Sequence, residues 1–534
     1  MDDKFDCIIV GGGIAGLSAA LTLARKNLKF LLIERGEFSG AKNVSGGVLW
    51  GTRLNDLVPD YWEEKAGFER FVNHRRLTFL DETSAFSIDF KSEHFNAPPY
   101  KGIIVLRAKF DAWLASKVEE AIAESDFAEE SLLATSILVE DVILKDGKAI
   151  GIKAGGDEFY ADSILLAEGV NNLLVRKIGM QSAYVPADYM ATGVKEVIRF
   201  DRNVLEDRFQ LNGDSGLTNE FIGYASGGVE GGGFLYTNKD SVSLGLVLNL
   251  KSMRETLSDQ KKIYDVLSDF KQHPALKDML KGGETVEYSA HVVSTGDMRA
   301  MPKSLVGDGV LIAGEAANLL LNSGKAIQGM DFAMESGILA AETIAEAKQR
   351  GDFSAASLQA YKEKLENSYV LKDLRKFQSA VHFLHSKEMF TSVPNIVNEF
   401  GRRFFTIDNS PTDKTPAMLM GAINKYSKED DRYEPHIHRR TLRESPLCEP
   451  GADRRETAHF SGYGDLQQRL SASVHHVCVS GELLRERRRG QSALPVRRLH
   501  RMRHLHVCVR SRRGDMELPE PGRRKGRGLG VWVM

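Results

Sequence analysis

Two hydrophobic periods alternate along the first 430 residues. "FDCIIV" and "KFLLI" are short, almost wholly apolar runs, as in strands buried on both faces. Between them "IAGLSAALTLAR" places its large apolar residues three or four apart, the spacing of a buried helix stripe. The opening therefore predicts strand, glycine turn, helix, strand. Farther on the pattern predicts a helix over 110–123, a strand pair over 137–154, and a strand ending in a turn at "ADSILLAEGVNN". From about residue 193 to 294 apolar and polar positions alternate with period two, as in "GGGFLYTNKDSVSLGLVLNL", and a separate sheet is expected. "GVLIAGEAANLLLNSGKAIQGMDFAMESG" predicts strand, turn, loop and a helix from about Gln328. Residues 358–404 read as mainly helical, with Gly401 as a stop.

The rhythm breaks beyond Arg439. From Thr441 onward there is no Ile, no Asn and a single lysine, Lys525, while arginine abounds and Pro, Gly, Ser and His interrupt any period. "SKEDDRYEP" reads as a polar linker and sets a boundary near residue 430. The tail carries too little apolar periodicity to form a core, and disorder is expected there.

Composition narrows the function classes. Lys and Arg number 71 against 73 Asp and Glu, so overall charge gives no reason to expect a nucleic-acid partner. The four cysteines, Cys7, Cys448, Cys478 and Cys508, are too scattered for a disulfide framework and form no Cys-x-x-Cys pair. The start, Met1-Asp2-Asp3-Lys4, lacks the basic opening of a signal peptide, and no apolar run approaches the roughly 18–20 residues of a spanning helix. A reducing, cytoplasmic setting is expected, with room for peripheral attachment at the inner face of a membrane.

Against this background the glycine motif carries chemistry. Gly11-Gly12-Gly13-Ile14-Ala15-Gly16 follows an apolar strand and opens a helix, matching G-x-G-x-x-G in its proper setting. Gly11 permits the tight turn, Gly13 a close approach to a pyrophosphate, and Gly16 close helix–strand packing. Glu34, at the end of the next strand, suits the ribose hydroxyls of an adenosine, with Arg35 beside it. The motif alone does not separate FAD from NAD. Gly314 and Glu315 end a late strand, where the carboxylate can accept ribityl hydroxyls. The helix start at Gly329 and Met330 can stabilise negative charge gathering on a reduced flavin.

These two elements resemble the glutathione-reductase-like FAD domain in its hydroxylase-type version, with Gly-Glu where that class usually carries Gly-Asp. "ERGEFSGAKNVSGGVLW", "VLRAKFDAWLASKVEEA", "GGGFLYTNKDSVSLGL" and "VVSTGDMRAMPKSLVGDGVLIAGEAAN" are similar, in order, to segments of the FixC and electron-transfer-flavoprotein:quinone oxidoreductase family. The resemblance covers about residues 1–430. It implies an α/β fold in which a Rossmann-like FAD domain (1–180 and 295–350) holds an inserted β-rich substrate or quinone domain (181–294), followed by a helical segment (351–430) and the tail (431–534). It also implies FAD as cofactor, electron-transfer flavoprotein and a quinone as partners, and a role for Arg107 on the flavin side, although a charge at a helix start explains Arg107 as well. Lys42 and Asn43 resemble a loop over the flavin ring or are plain turn residues. Glu168, Gly169 and Arg176 are weaker candidates, and His291 is either a site residue or a satisfied core histidine. No side chain stands out as acid, base or nucleophile, which suits a flavin that accepts and passes electrons.

The family works with a ferredoxin-like FixX module carrying a 4Fe-4S cluster, and this chain as written lacks its ligands. Arg497–His506 can be encoded so that advancing one base yields Ala-Gly-Cys-Ile-Glu-Cys-Gly-Thr-Cys, the Cys-x-x-Cys-x-x-Cys of a cluster loop. The same frame turns Gly514–Pro519 into Glu-Ile-Trp-Asn-Tyr-Pro and residues 480–486 into Ala-Val-Asn-Cys-Tyr-Glu. A displaced reading frame is the expectation, with simple disorder, a basic patch and a Cys/His metal site as competing readings. For the folded part, the competing functions are a flavin hydroxylase or geranylgeranyl-reductase-like enzyme, and a non-catalytic FAD-bearing scaffold.

Overall fold

The computed structural model describes residues 4–427 except 44–45, 65, 183–184, 258–259, 297, 324–325 and 385, and gives no side-chain environment for 380–384. The tail beyond 427, with its expected disorder and displaced frame, lies outside the described residues.

Two sheets organise the described chain. The first runs in the order Val306–Gly307, Val310–Ile312, Asp157–Leu166, Phe5–Val10, Phe30–Ile33, Leu132–Ala134, with an antiparallel ribbon (Val139–Lys145 and Lys148–Ala154) attached to Asp157–Leu166. Its central strands are parallel: Cys7 pairs with Ser163 on one side and Phe30 on the other. Both faces of the sheet are covered, which is why the opening strands read as continuous apolar runs. The opening helix Ile14–Arg25 packs closely on the late helix Met330–Arg350. A Cβ at Gly337 would come within 2.1 Å of the Ala15 carbonyl oxygen, so glycine alone fits that crossing. Burial pushes the Cys7 thiol up to about 12, so this packed cysteine is no redox thiol.

The second sheet is ordered Glu284–Ser294, Met190–Arg199, Ser241–Asn249, Gly231–Thr237, Ser215–Gly223, Arg70–Leu80, Gly102–Leu106, Gly46–Trp50, with Ala85–Lys91 along Arg70–Leu80. It therefore differs from the self-contained sheet expected over 193–294: strands from 46–106 complete it. Ser215–Gly223 pairs in parallel with Arg70–Leu80, a long-range match that local alternation does not encode. Arg70, only 1% exposed, locks this join, giving hydrogen bonds to the carbonyls of Gly213, Ser215, Asn238 and Lys239 and pairing with Glu206.

The two faces of this sheet differ. One packs Val194, Leu217, Phe221, Leu235, Leu244 and Leu246 against the helices Arg202–Phe209, Ile263–Gln272 and Pro274–Leu280. On the other, registered pairing aligns Ser289, Lys195, Gly245, Phe234, Glu220 and Leu77 in one row, and Glu287, Val197, Ser243, Tyr236, Thr218 and Arg75 in the next. A face carrying Lys195, Glu220, Tyr236 and Arg75 is not a core.

The remaining helices are Ala355–Asn367, Tyr369–Leu384, Lys387–Phe390, Ser392–Phe405 and Thr415–Ser427. Gly401 does not stop a helix. It lies inside Ser392–Phe405, where its missing side chain admits Phe86, 3.2 Å from the Cβ position. Among the described residues no helix is long and apolar enough to cross a membrane.

Candidate functional site

The glycine turn sits where the opening strand meets the end of Asp157–Leu166. Gly11 has φ +108°, and a Cβ there would lie 2.4 Å from the Ala167 carbonyl oxygen; a Cβ on Gly16 would lie 1.9 Å from the Gly11 carbonyl oxygen. Both positions are closed by backbone. Gly13 is different. Its φ of −83° suits any residue, and the nearest atoms to a Cβ are Arg107 Nη2 at 3.8 Å and Asn43 Nδ2 at 3.9 Å. The space beside Gly13 is thus open and edged by hydrogen-bond donors, at a helix start that no side chain caps. Ile14 and Ala15 are buried beneath it.

Glu34 follows the second strand, and its carboxylate accepts the Gly12 N–H at 2.8 Å and the Gly36 N–H at 2.6 Å. Each oxygen keeps a lone pair for a further donor. Arg35 and Lys42 are exposed. Asn43 and Arg107 converge on Asp111: Arg107 forms a two-pronged pair with it at 2.8 Å, and Asn43 donates a hydrogen bond to it. Arg107 is the first residue of the helix Arg107–Glu124, expected over 110–123, where a cation opposes the helix dipole. Its guanidinium is offset there by Asp111, one turn along the same helix. Burial works against the guanidinium charge, but Asp111, and more distantly Glu315, hold its pKa above the ordinary value. Sequence reasoning missed Asp111, although its i,i+4 spacing from Arg107 was a readable signal.

From the other side, Gly314 (φ +67°) brings the late strand close to Ala15, and its N–H donates to Ser336 Oγ at 2.9 Å. Glu315 accepts the Ser294 N–H at 3.0 Å; burial pushes its carboxyl up despite that bond and the nearby Arg107. The late helix starts at Met330 with Gly329 as an uncapped N-cap, two residues beyond the expected start, because Ile327–Gln328 pair with Leu321–Asn322 as short strands. Met330 reaches the second sheet: its Cε lies 3.4 Å from the Cβ position of Gly47. Asp331, also missed from the sequence, is buried behind it and pushed up to about 6 by burial, with Oδ1 unpartnered. His291, on the sheet edge, is driven down to about 4 by burial and then by Arg107 and Arg35, and so is neutral at neutral pH.

The open space beside Gly13 is thus edged by Arg107 and Asn43, with Glu34 bonded to neighbouring Gly12 and Glu315 acting on Arg107, while Met330 reaches Gly47; this space is the candidate cofactor cleft. Glu168 serves otherwise: it accepts the N–H groups of Leu174 and Val175 and caps the helix Leu173–Lys177, while Arg176 bonds the nearby Asn171 carbonyl. The cleft suits FAD, because the open, donor-edged space at Gly13 fits an anionic pyrophosphate and the carboxylates of Glu34 and Glu315 suit hydroxyls at opposite ends. Among the described residues no group of His, Cys, Asp or Glu is arranged to hold a metal ion.

Comparison with known proteins agrees with this arrangement. Residues 6–128 match the family described as FAD dependent oxidoreductase, and residues 190–293 the family described as ETF-QO, ubiquinone-binding. The chain is 42% identical to the protein FixC of Escherichia coli (strain K12) over 428 residues, covering 80% of this chain and 96% of that one. It is 41% identical to the probable electron transfer flavoprotein-quinone oxidoreductase YdiS of the same organism, covering 79% and 96%. A geranylgeranyl bacteriochlorophyll reductase-like protein from Thermoplasma acidophilum shares the fold at a TM-score of 0.60 and 20% identity, covering 80% of this chain and 99% of that one. The chain therefore belongs to the FixC and electron-transfer-flavoprotein:quinone oxidoreductase family of FAD-dependent oxidoreductases.

Proposed function

We propose that this protein takes electrons from reduced electron-transfer flavoprotein onto FAD and delivers them to a quinone held against the second sheet. The carrying observation is that the segment 190–293, matched to the ubiquinone-binding description, brings His291 within electrostatic reach of Arg107, which edges the open space beside Gly13. FAD, when bound, supplies a carrier that accepts and releases two electrons.

The chain's own residues do the rest. Gly11, Gly13, Ile14, Ala15 and Gly16 admit the pyrophosphate, and Glu34 with Arg35 hold the adenosine. Gly314 and Glu315 orient the ribityl hydroxyls. Lys42, Asn43 and Arg107 bound the flavin side, where Asp111 fixes Arg107 in place. Gly329 and Met330 present an uncapped helix start to developing negative charge. Neutral His291 adds no net charge to this cationic corner. Exposed apolar side chains, Ile88 and Phe90 on an edge strand, Phe404 and Phe405 in the last turn of Ser392–Phe405 and Ile407 just beyond it, support seating on a membrane surface, where quinones dissolve.

The test is anaerobic flavin reduction and reoxidation. Reduced electron-transfer flavoprotein should bleach the bound flavin, and a short-chain ubiquinone should restore it. Reduction by NAD(P)H, with oxygen consumed only when an organic substrate is present, would instead assign the protein to the flavin hydroxylases. Failure of every physiological donor to bleach the flavin would leave only the scaffold reading.

A further inference from the structure

The polar face of the second sheet holds an acid that the cofactor cleft does not use. Glu220 lies on Ser215–Gly223, opposite Phe234 on one neighbouring strand and Leu77 on the other. Arg75 and Tyr236 stand one row away on those same strands, both level with Thr218. Around the carboxyl the walls are aromatic: the rings of Phe234 and Tyr236 stack at 5.0 Å and 18°, and the Arg75 guanidinium lies 4.5 Å over the Trp50 ring. Lys195, paired with Glu287 at 3.4 Å, and His291 occupy the far side of the face. The face adjoins the cofactor cleft, since Ser243, the registered partner of Tyr236, has its Oγ 3.4 Å from the Cβ position of Gly46, next to Gly47 and Met330.

We propose that Glu220 is the proton donor to the quinone oxygen on this face, with Arg75 and Tyr236 as positioning residues. This rests on the quinone reading above. Reduction of a quinone takes two electrons, which the oxidoreductase supplies, and forms two O–H bonds. One proton leaves the Glu220 carboxyl, whose O–H breaks as the quinone O–H forms; the other comes from water. Water then reprotonates Glu220, and the sum is quinone plus two electrons and two protons to quinol.

Two observations separate this from a structural ion pair. An acid kept for its bond to arginine is held below the ordinary carboxylate range. Here burial outweighs Arg75 and pushes Glu220 up to about 7, so the carboxyl is about half protonated at neutral pH and is poised to give up and regain a proton. The opposite face of the same strand is filled by Leu217, Asn219 and Phe221, and Glu220 takes no part in that packing.

The experiment mixes dithionite-reduced holoprotein with a short-chain ubiquinone in a stopped-flow instrument across the neutral pH range. Wild-type reoxidation should slow as pH rises through about 7. Glu220→Gln should keep its FAD spectrum and its reduction by dithionite, yet be reoxidised about 100-fold more slowly, with the pH limb gone. A Glu220→Gln protein with wild-type rate and limb overturns the proposal. If that variant fails to retain FAD, Glu220→Asp decides: a slower rate with a displaced limb supports the role, and an unchanged rate and limb overturns it. A wild-type protein that the quinone does not reoxidise would overturn the quinone reading itself.

Discussion

Replacing Gly13 by alanine separates a glycine kept for the fold from one kept for a ligand. The backbone there has φ −83°, which alanine adopts freely. A methyl group would meet nothing closer than Arg107 Nη2 at 3.8 Å. Apoprotein stability should therefore change by no more than about 0.5 kcal/mol. With FAD present the methyl group would occupy the space beside the helix start that the pyrophosphate needs. Overpacking a filled site costs about 1–3 kcal/mol, so the Kd for FAD should rise roughly 5- to 150-fold at 1.4 kcal/mol per tenfold. Gly16→Ala is the contrast: its Cβ would sit 1.9 Å from the Gly11 carbonyl oxygen, so the apoprotein itself should lose stability. Flavin-fluorescence titration of apoprotein gives Kd, and urea unfolding of the same samples gives stability. Gly13→Ala with wild-type FAD affinity would refute the placement of the pyrophosphate, and a Gly13→Ala apoprotein as damaged as Gly16→Ala would refute the claim of open space.

Three further outcomes are expected. Burial alone would raise the Asp81 carboxyl, but the hydrogen bond from Arg402 and the Thr83 and Ser84 N–H groups hold it below its ordinary value. Stability from this pair is then present above the unfolded pKa of about 3.9 and is lost as pH falls through the depressed folded value. Arg402→Met should accordingly lower Tm at neutral pH, with the gap closing below about pH 4; a gap that persists in strong acid would contradict the assignment. Phe405, 73% exposed, should insert into lipid, and Phe405→Ser should weaken binding to phosphatidylglycerol-containing vesicles about ten- to a hundredfold in co-sedimentation, whereas equal binding would remove Phe405 from membrane contact. Nucleotide sequencing from codon 430 onward should reveal Cys-x-x-Cys-x-x-Cys in the +1 frame, and the protein as written should carry essentially no iron; a +1 frame without that motif ends the displaced-frame reading.

Legibility from the sequence followed the range of the interaction. The glycine turn, its strand and its helix lie within 25 residues of one another, so local sterics and period suffice to read Gly11, Gly13, Gly16 and Glu34. The late pair Gly314 and Glu315 was readable for the same reason. Gly401 was misread because a helix-stop signal and a close-packing signal are the same residue, and only the neighbour, Phe86, decides which applies. Glu168, a weaker cofactor candidate from its sequence setting, is a helix cap, and its two capping bonds depend on a turn that the residue type does not reveal.

By itself the sequence determined the class of the fold, the dinucleotide turn and the family, because these rest on short contiguous patterns whose physical causes are local. Tertiary structure alone decided that strands from 46–106 complete the second sheet, that Asn43 joins Arg107 at Asp111, and that Glu220, Arg75 and Tyr236 share one face. Those pairings join residues far apart in the chain, and they exist only once sheet register has set which side chains share a face.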